Sequence, residues 1–490
     1  MIGVKDYENM DGFGMSTYEQ VQELNKALSA GYDVPAATGG VSGSGLRVES
    51  LEASLKVITF QMQHIKFWQK IPKLPAYSTV EEYNRLTSYG SEGGAFAPEG
   101  ELNTYDDATY TRQVSLVKYL QTVRKVTHPM TLVRTAHGDI IGNEIKNGIM
   151  WLLGKIENYL YNGNNTLRFG YSAYASGNST NEGFEFNGLK NLIDTSMVID
   201  ADGDPLTEDI LETAANQVIE NYGFPTDIFI GTKPLADLAK VMFPKERIVV
   251  PFKEGQIGVP LNTFASQAGT LAFNPDVFLR KSYVTSTSTA TGPSGYAPTA
   301  PQSVAITLAG AGNGGDFTKT NNGLGNYYYA VTYANRYGES SPMVSDVAAV
   351  AAATSHVQLT IRNAATVAVA PDWFKIYRTV AGGVNTGPFY LIASYAALQQ
   401  GNNSYQTAGG GGTPFLGWTD HNDDCANVHD VYMGELTPQV LMFKQLAPMM
   451  KMDLAVIEPA IRWVQLLYGV PQLYAPKKWI RIKNVGEATI

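Results

Sequence analysis

The clearest periodicity in the chain lies between residues 138 and 161. Ile141, Ile145, Ile149, Leu152, Ile156 and Leu160 recur at steps of 4, 4, 3, 4 and 4, which is one apolar stripe of a 3.6-residue helix. Asp139 suits its N-terminus and Gly163 its stop. At 1.5 Å per residue this helix is roughly 36 Å long, enough to act as the spine of a flat molecule. Two further stripes precede it. Tyr18, Val21, Leu24 and Leu28 follow a capping box made by Ser16 and Glu19, and Gly31 can end that helix. Leu51, Leu55, Ile58, Met62 and Ile65 form the second, predicted as a helix from about Ser50 to Pro72. A Gly, Ala and Ser loop (36–45) separates the two. Neither helix can bury its apolar face alone, so residues 1–70 read as an arm that packs on the body or on a neighbour.

Strand signals dominate elsewhere. Residues 77–127 read as a long two-stranded excursion with the tip SYGSEGGAFAPEGEL (88–102), made pliable by Gly90, Gly93, Gly94 and Gly100. An isolated hairpin of this length is marginal in water and invites a partner chain. Residues 189–285 alternate strands and helices. Thr207–Asn221 has an apolar face of Ile210, Leu211, Ala214, Val218 and Ile219; DIFIG (227–231) is a short buried strand; Pro234 sits in the first turn of another helix. Further short strands are expected near Arg247–Val250 and Val277–Tyr283. After residue 285 come the linker STSTATGPSGYAPTAPQS and the runs NYYYAVTYAN, HVQLTIRN, DWFKIYRTV and PFYLIASY, separated by turn signals, the spacing of an all-β sandwich. Residues 427–490 return to mixed character, with two strands expected around the Gly-Pro turn of RWVQLLYGVPQLYAPKKWIRIKNV. The pattern is one α/β body interrupted by a β-domain.

Composition sharpens that boundary. Residues 286–426 hold five basic side chains (Lys319, Arg336, Arg362, Lys375, Arg378) and seven acidic ones (Asp316, Glu339, Asp346, Asp372, Asp420, Asp423, Asp424). That charge density is about half of the chain's 17%. The 490 residues carry 36 basic and 45 acidic side chains, a net charge of −9. A large sequence-independent nucleic-acid binder needs a basic excess to release counterions, and this chain has none. One cysteine, Cys425, excludes an internal disulfide. No run of about 18 apolar residues offers a membrane-spanning helix, and MIGVKDYENMDGFG lacks the regions of a secretory signal.

Candidate chemistry is thin. Asp200, Asp202 and Asp204 in IDADGDPLTED suggest a calcium loop, but Pro205 and Leu211 stand where an EF-hand needs Gly and Glu; a turn with an N-cap fits better. HNDDCANVH (421–429) has zinc-ligand residue types without a second ligand pair, and reads as a polar connector where the β-domain rejoins the body. His128 and His137 pair with no recognisable nucleophile, and no nucleophile elbow, phosphate-binding loop or H-E-x-x-H occurs. Glu92, Glu99, Glu101, Asp106 and Asp107 crowd the hairpin tip as a solvated acidic loop suited to a neighbour's basic residues. Tyr327, Tyr328, Tyr329 and Tyr333 could stack on sugars, but strand alternation sends only some to one face. No catalytic, cofactor or metal site is expected.

Three stretches carry a resemblance: GSEGGAFAPEGEL with the strand to Val126 and His128–Met130; ANQVIENYGFPTDIFIGTKPLADL (215–238); and RWVQLLYGVPQLYAPKKWIRIKNV (462–485). With the long helix, their order resembles the major capsid proteins of tailed bacteriophages with the Hong Kong 97 fold. YYYAVTYANRYGESSPM resembles a fibronectin type III or other immunoglobulin-like domain. The resemblance implies an α+β Hong Kong 97-like capsid fold. Its parts would be an N-terminal arm (1–70), an E-loop with flanking strands (71–130), the spine helix and part of the P domain (131–188), a first A-domain part (189–292), an inserted immunoglobulin-like domain (293–426), a second A-domain part (427–461) and C-terminal P-domain strands (462–490). The implied function is a shell protein that self-assembles as homo-pentamers and homo-hexamers into an icosahedral head around double-stranded DNA. It would assemble in the host cytoplasm and reside in the virion. Implied partners are a portal, decoration or scaffolding proteins, and DNA by weak non-specific contact, with no membrane. Intersubunit contacts are expected at Gly93, Gly94, Phe96 and Pro98 in the tip, and at Leu51, Leu55, Ile58 and Met62 in the arm. No lysine lies between Leu74 and Val117, so no crosslinking residue is carried over. With about 50 residues ahead of the second arm helix, no large cleaved scaffold segment is expected. The competing readings are a β-rich tail or adhesin protein, against which the spine helix speaks, and an encapsulin-like compartment.

Overall fold

A computed structural model describes residues 58–490 except 91–95, 97, 103–106, 134, 136–137, 168–184, 243–260, 268, 293–295, 363–368, 370, 397–404, 407–414 and 489–490. The first arm helix, Leu51 and Leu55, tip residues Gly93 and Gly94, and the strand expected near Arg247–Val250 lie outside the described residues.

Strands β1 (Lys73–Pro75), β2 (Val80–Ser88), β3 (Thr109–Leu116) and β4 (Lys118–Thr127) precede the long helix α1 (Ile140–Asn162). Strand β5 (Val198–Asp200), helix α2 (Glu208–Glu220), β6 (Asp227–Ile230), helix α3 (Thr232–Met242), β7 (Thr263–Ser266), β8 (Gly269–Pro275) and β9 (Tyr283–Val284) follow. Next come β10 (Ser303–Leu308), β11 (Gly325–Tyr327), β12 (Tyr329–Asn335), β13 (Gly338–Glu339), β14 (Met343–Val344) and β15 (Ala348–Val350). Then come β16 (Val357–Arg362), β17 (Trp373–Arg378), β18 (Phe389–Ala396), β19 (Tyr405–Gln406) and β20 (Phe415–Asp420). The chain closes with β21 (His429–Gly434), β22 (Leu441–Asp453), β23 (Ala460–Leu473) and β24 (Trp479–Val485). This is a mixed α+β fold.

Two sheets build the body. One has the order β1-β22-β23-β4, the other β5-β24-β21-β6-β8-β7. The stripe on α1 is buried over its C-terminal half, at Leu152, Leu153, Ile156, Leu160 and Tyr161, while Ile141, Ile145 and Ile149 are half-buried. Those buried residues share one core with Phe229 of β6, Phe443 of β22, Leu467 of β23 and Trp479 of β24. α1 lies close to its neighbours at two glycines. A Cβ on Gly148 would meet the Gln465 side chain and one on Gly154 the Phe60 ring. In α2, Thr207 caps the helix by accepting from the Ile210 N–H (3.4 Å).

The sequence reading needs correction in four places. Residues 58–72 are not one helix. A 3-10 turn at Met62–His64 is followed by an extended Ile65 and a separate turn at Phe67–Lys70. Ile65, Phe67 and Trp68 are core residues on consecutive short pieces, so burial follows the body's surface rather than one helical face. The strand expected near Val277–Tyr283 is a 3-10 turn, Val277–Leu279, with Asp276 accepting from the Phe278 N–H (2.9 Å), and only Tyr283–Val284 are extended. The Gly-Pro turn does not exist, because β23 runs straight through Gly469 and Pro471. Gly469 faces the Phe443 ring, which a Cβ would meet at 2.3 Å. The β23–β4 pairing ends at Gly469↔Lys118, so Pro471 lies beyond the strand that would have needed its N–H. Finally, the last strands, expected together, divide. β22 and β23 join the long sheet, and β24 joins β21 and β5 in the other.

Residues 283–420 form three further sheets: β10-β16-β20-β19, β13-β12-β17-β18-β9 with β14 also paired to β12, and the two-stranded β11-β15. Their core of Tyr327, Tyr329, Tyr333, Leu359, Phe374, Ile376 and Trp418 is separate from the body core. Tyr327, Tyr329 and Tyr333 are therefore buried, and Tyr328 alone of the run is half-exposed.

Candidate assembly surfaces

The outward face of the β2–β3 ribbon carries five apolar side chains around Asn84 and the Glu82–Arg112 ion pair. In register, Val80 faces Leu116, Glu82 faces Val114, Asn84 faces Arg112 and Leu86 faces Tyr110. By strand alternation these share one face, and all are exposed. Tyr110 is 68% exposed and Val114 56%. The opposite face holds Glu81, Tyr83, Arg85, Thr111, Gln113 and Ser115, all half-buried. Tyr83 Oη and Arg85 Nη2 both donate to the Leu473 carbonyl at 3.3 Å, and the Tyr83 and Tyr474 rings meet edge to face at 4.7 Å. The polar face thus anchors the ribbon root to the end of β23, and the apolar face stays bare. Monomeric proteins ordinarily bury such a face.

At the tip, Phe96 is 99% exposed and Pro98 is exposed, with Tyr89 and Leu102 bare on either side. Glu99, Glu101 and Asp107 are exposed; Glu92 and Asp106 lie outside the described residues. Ile58 is 97% exposed and Met62 about half exposed. Lys118, the first lysine after the tip, is buried at the start of β4. A third apolar strip was not singled out in the sequence. Met450 and Met452 at the outer end of β22, with Leu454, Val456 and Ile457 in the turn to β23, are all exposed. Its signal in the sequence is the alternation in PMMKMDLAVI.

The polar motifs serve the joint between the β region and the body. The Lys319 ammonium enters the Asp200–Asp204 turn, 2.7 Å from Asp200 Oδ2 and 3.6 Å from Asp202 Oδ1. Thr320 Oγ1 donates to Asp204 (2.7 Å), and its carbonyl stands 2.3 Å from where a Gly203 Cβ would be. Although burial opposes it, hydrogen bonds from Lys319, Asn484 and Lys483 hold the Asp200 carboxyl below the usual range. In HNDDCANVH, Asp424 pairs with Lys190 and the Cys425 N–H donates to Asn484 Oδ1 (2.9 Å). Burial raises the cost of charge on Asp424, yet Lys190, Lys281, Arg481 and Lys483 together keep its carboxyl well below normal. Beside it, the fully buried Arg378 binds Asp420 (2.5 Å), Asn422 (2.6 Å) and Asn322 (3.1 Å). His128 begins a short helical turn, and His137 lies outside the described residues. Among the described residues no group of three or more His, Cys, Asp or Glu side chains is placed to hold a metal.

The sequence matches the family described as SU10 major capsid protein over residues 40–291, just over half of the chain. It is 27% identical over 483 residues to the major capsid protein of Staphylococcus phage K, covering 98% of both chains. It is 28% identical over 474 residues to the putative major capsid protein of Enterococcus phage phiEF24C, covering 95% of both. The fold also aligns with the capsid of a native GTA particle at a TM-score of 0.47 and 8% identity, covering 94% of this chain and 100% of the other. The chain belongs to the SU10 major capsid protein family: it is a structural protein of a phage virion, and its working surfaces are those that meet other subunits.

Proposed function

We propose that this capsid protein assembles as pentamers and hexamers into an icosahedral head enclosing double-stranded DNA, with the β2–β3 ribbon lying on a neighbouring subunit. The outward apolar face of that ribbon carries the reading. Gly93, Gly94, Phe96 and Pro98 form the docking tip, and Leu51, Leu55, Ile58 and Met62 form a second contact from the arm. The region from about residue 293 to 426 is an immunoglobulin-like domain displayed on the outer surface. A portal, decoration or scaffolding proteins complete the particle, and DNA is met only by weak non-specific contact, in keeping with the net charge of −9.

The tip supplies the test. Ordering a glycine-rich loop costs about 1–2 kcal/mol per residue in backbone entropy. Burying Phe96 on a neighbour returns roughly 1.5–3 kcal/mol. Phe96→Ala should leave subunit circular dichroism unchanged and lower the yield or melting temperature of particles measured by sedimentation. Equal particle stability in mutant and wild type would remove the tip from the interface.

A further inference from the structure

A cavity of about 300 Å³ opens where the chain leaves the body for the β region. That is the small end of the range for small-molecule sites, roughly 300–1,000 Å³. Its walls come from the start of α3, the segment after β8 and the start of β21, and an isolated bridge between Arg280 and His429 joins the last two. α3 begins without a cap. Gly231 accepts the first intrahelical bond, from the Leu235 N–H (3.3 Å), and has no side chain to offer. Pro234 has no N–H. Among the described residues no acceptor meets the N–H groups of Thr232 and Lys233. Two unmet donors and the positive end of a helix therefore adjoin the cavity.

A second observation falls at the same place. His429 is 7% exposed, and its Nδ1 has no hydrogen-bond partner among the described residues. That atom stands against the helix start, since a Cβ on Gly231 would lie 3.2 Å from it. The other ring nitrogen, Nε2, reaches Glu487 only at 3.5 Å. A buried polar atom left unpaired in a native fold marks a water or an ion that belongs there. Two cations favour the ion. The Lys281 ammonium gives one of its three donors to the Cys425 carbonyl (2.9 Å). Arg280 lies over the Tyr283 ring and has no ion pair among the described residues. Burial holds the Lys281 ammonium and the His429 imidazolium below their ordinary pKa values, so an anion between them would stabilise both charges. Lys233 is already neutralised by Asp237 (2.6 Å).

We propose that this cavity is an anion site that holds one phosphate-type group, inorganic phosphate or a phosphate monoester, between the N-terminus of α3, His429, Arg280 and Lys281. Two carboxylates in the lining narrow the choice of anion. Asp276 is satisfied by the Tyr161 hydroxyl (2.8 Å) and the Phe278 N–H (2.9 Å), and Glu487 stands opposite His429. An oxyanion stripped of every proton would be repelled by these carboxylates and by the Nδ1 lone pair. Hydrogen phosphate fits them, because its P–OH donates to a carboxylate or to Nδ1. Its remaining oxygens accept from the helix N–H groups, Arg280 and Lys281. A group held there ties residues 280–281, at the root of the β region, to α3 and β21 of the body.

The test is equilibrium dialysis of radiolabelled inorganic phosphate against the full-length protein at neutral pH and constant ionic strength. One phosphate should bind per subunit. Sulfate, which carries no proton at neutral pH, should displace it at least about tenfold less well than unlabelled phosphate. Arg280→Gln changes an exposed side chain and should weaken binding about tenfold or more. Thr232→Glu, also at an exposed position, puts a carboxylate where a helix N-terminus welcomes it. It should therefore fold and still weaken binding as much. Adenosine monophosphate separates the two sources: displacement of the label shows that the site admits monoesters, and none shows that it takes the free ion. No saturable binding, sulfate displacing as well as phosphate, or unchanged binding in both variants would overturn the proposal and leave water as the partner of His429. The cavity lies within one subunit, so the outcome is independent of whether the ribbon docks on a neighbour.

Discussion

At the scale of single residues, the buried polar side chains act as fasteners. Arg378 is fully buried against Asp420, Asn422 and Asn322, and the Tyr329 hydroxyl donates to the same Asp420 carboxylate (2.8 Å). Arg378→Ala would leave that carboxylate buried without its cation, a loss of about 3–5 kcal/mol. The β region should then melt at a clearly lower temperature by calorimetry. The double substitution Arg378→Met with Asp420→Leu should recover much of the loss, because it removes both charges at similar volume. If single and double variants melt alike, the ion pair is not what holds the site. None of these partnerships was legible in the sequence. The run Asp200, Asp202, Asp204 announced an acidic turn, but the ammonium that fills it comes from Lys319, more than a hundred positions away. Glu157 accepts three N–H groups from Lys66 to Trp68, about ninety positions upstream. Pairings between distant positions leave no local periodicity to read.

At the scale of elements, local pattern was far more informative. α1 runs over Ile140–Asn162, within two residues of the stripe read from its isoleucines and leucines. Thr207, the DIFI strand and Pro234 also stand where capping and turn chemistry put them. The failures share a cause. At Gly469 and Pro471, residues that usually punctuate a chain are used for close approach to Phe443 and for a stretch of β23 that is paired with β22 but no longer with β4. In β3 and β4 one apolar run is split at Val117. Its N–H donates to the Thr79 carbonyl (2.9 Å), so β3 pairs with β2 while β4 enters the body sheet. The half-covered stripe of α1 gives a prediction. Ile156→Ala empties a fully buried position and should destabilise the subunit by about 2–5 kcal/mol in denaturant titrations. Ile145→Ala, at a half-buried position, should cost clearly less in the free subunit. Equal losses would mean that the N-terminal half of the helix is as well packed as the C-terminal half.

At the scale of the molecule, the question is whether the β region is a separable passenger. Among the described residues its apolar core shares no residue with the body core, and a mixed apolar cluster there is small: Leu167 with Ala334 and Trp373. What joins the two is mostly polar, including Lys319 on Asp200, Thr320 on Asp204 and Asn322 on the Ala426 carbonyl. Polar joints of this kind are typical of domains that fold on their own. The C-terminal side of the joint is different. The Asp423 carbonyl accepts from Lys483 and Asn484, Asp424 pairs with Lys190 and approaches Arg481, and the Cys425 N–H donates to Asn484. Residues 423–428 therefore belong energetically to the body, which starts four residues before the boundary that composition suggested. On the N-terminal side Tyr283–Val284 pair with β18 through only two residues, so little sheet is lost by cutting after them. Replacing residues 286–422 with a short Gly-Ser bridge should still give shells, visible by electron microscopy, with some loss of thermal stability from uncovering Asp200 and Leu167. Extending the excision to 426 removes Asp424 and leaves Lys190 without that carboxylate, and it should sharply reduce soluble subunit and shells together. If the shorter excision already prevents assembly while full-length protein forms shells, the β region is part of the lattice and not a passenger on it. If both excisions assemble equally well, the 423–426 contacts do not hold the body together.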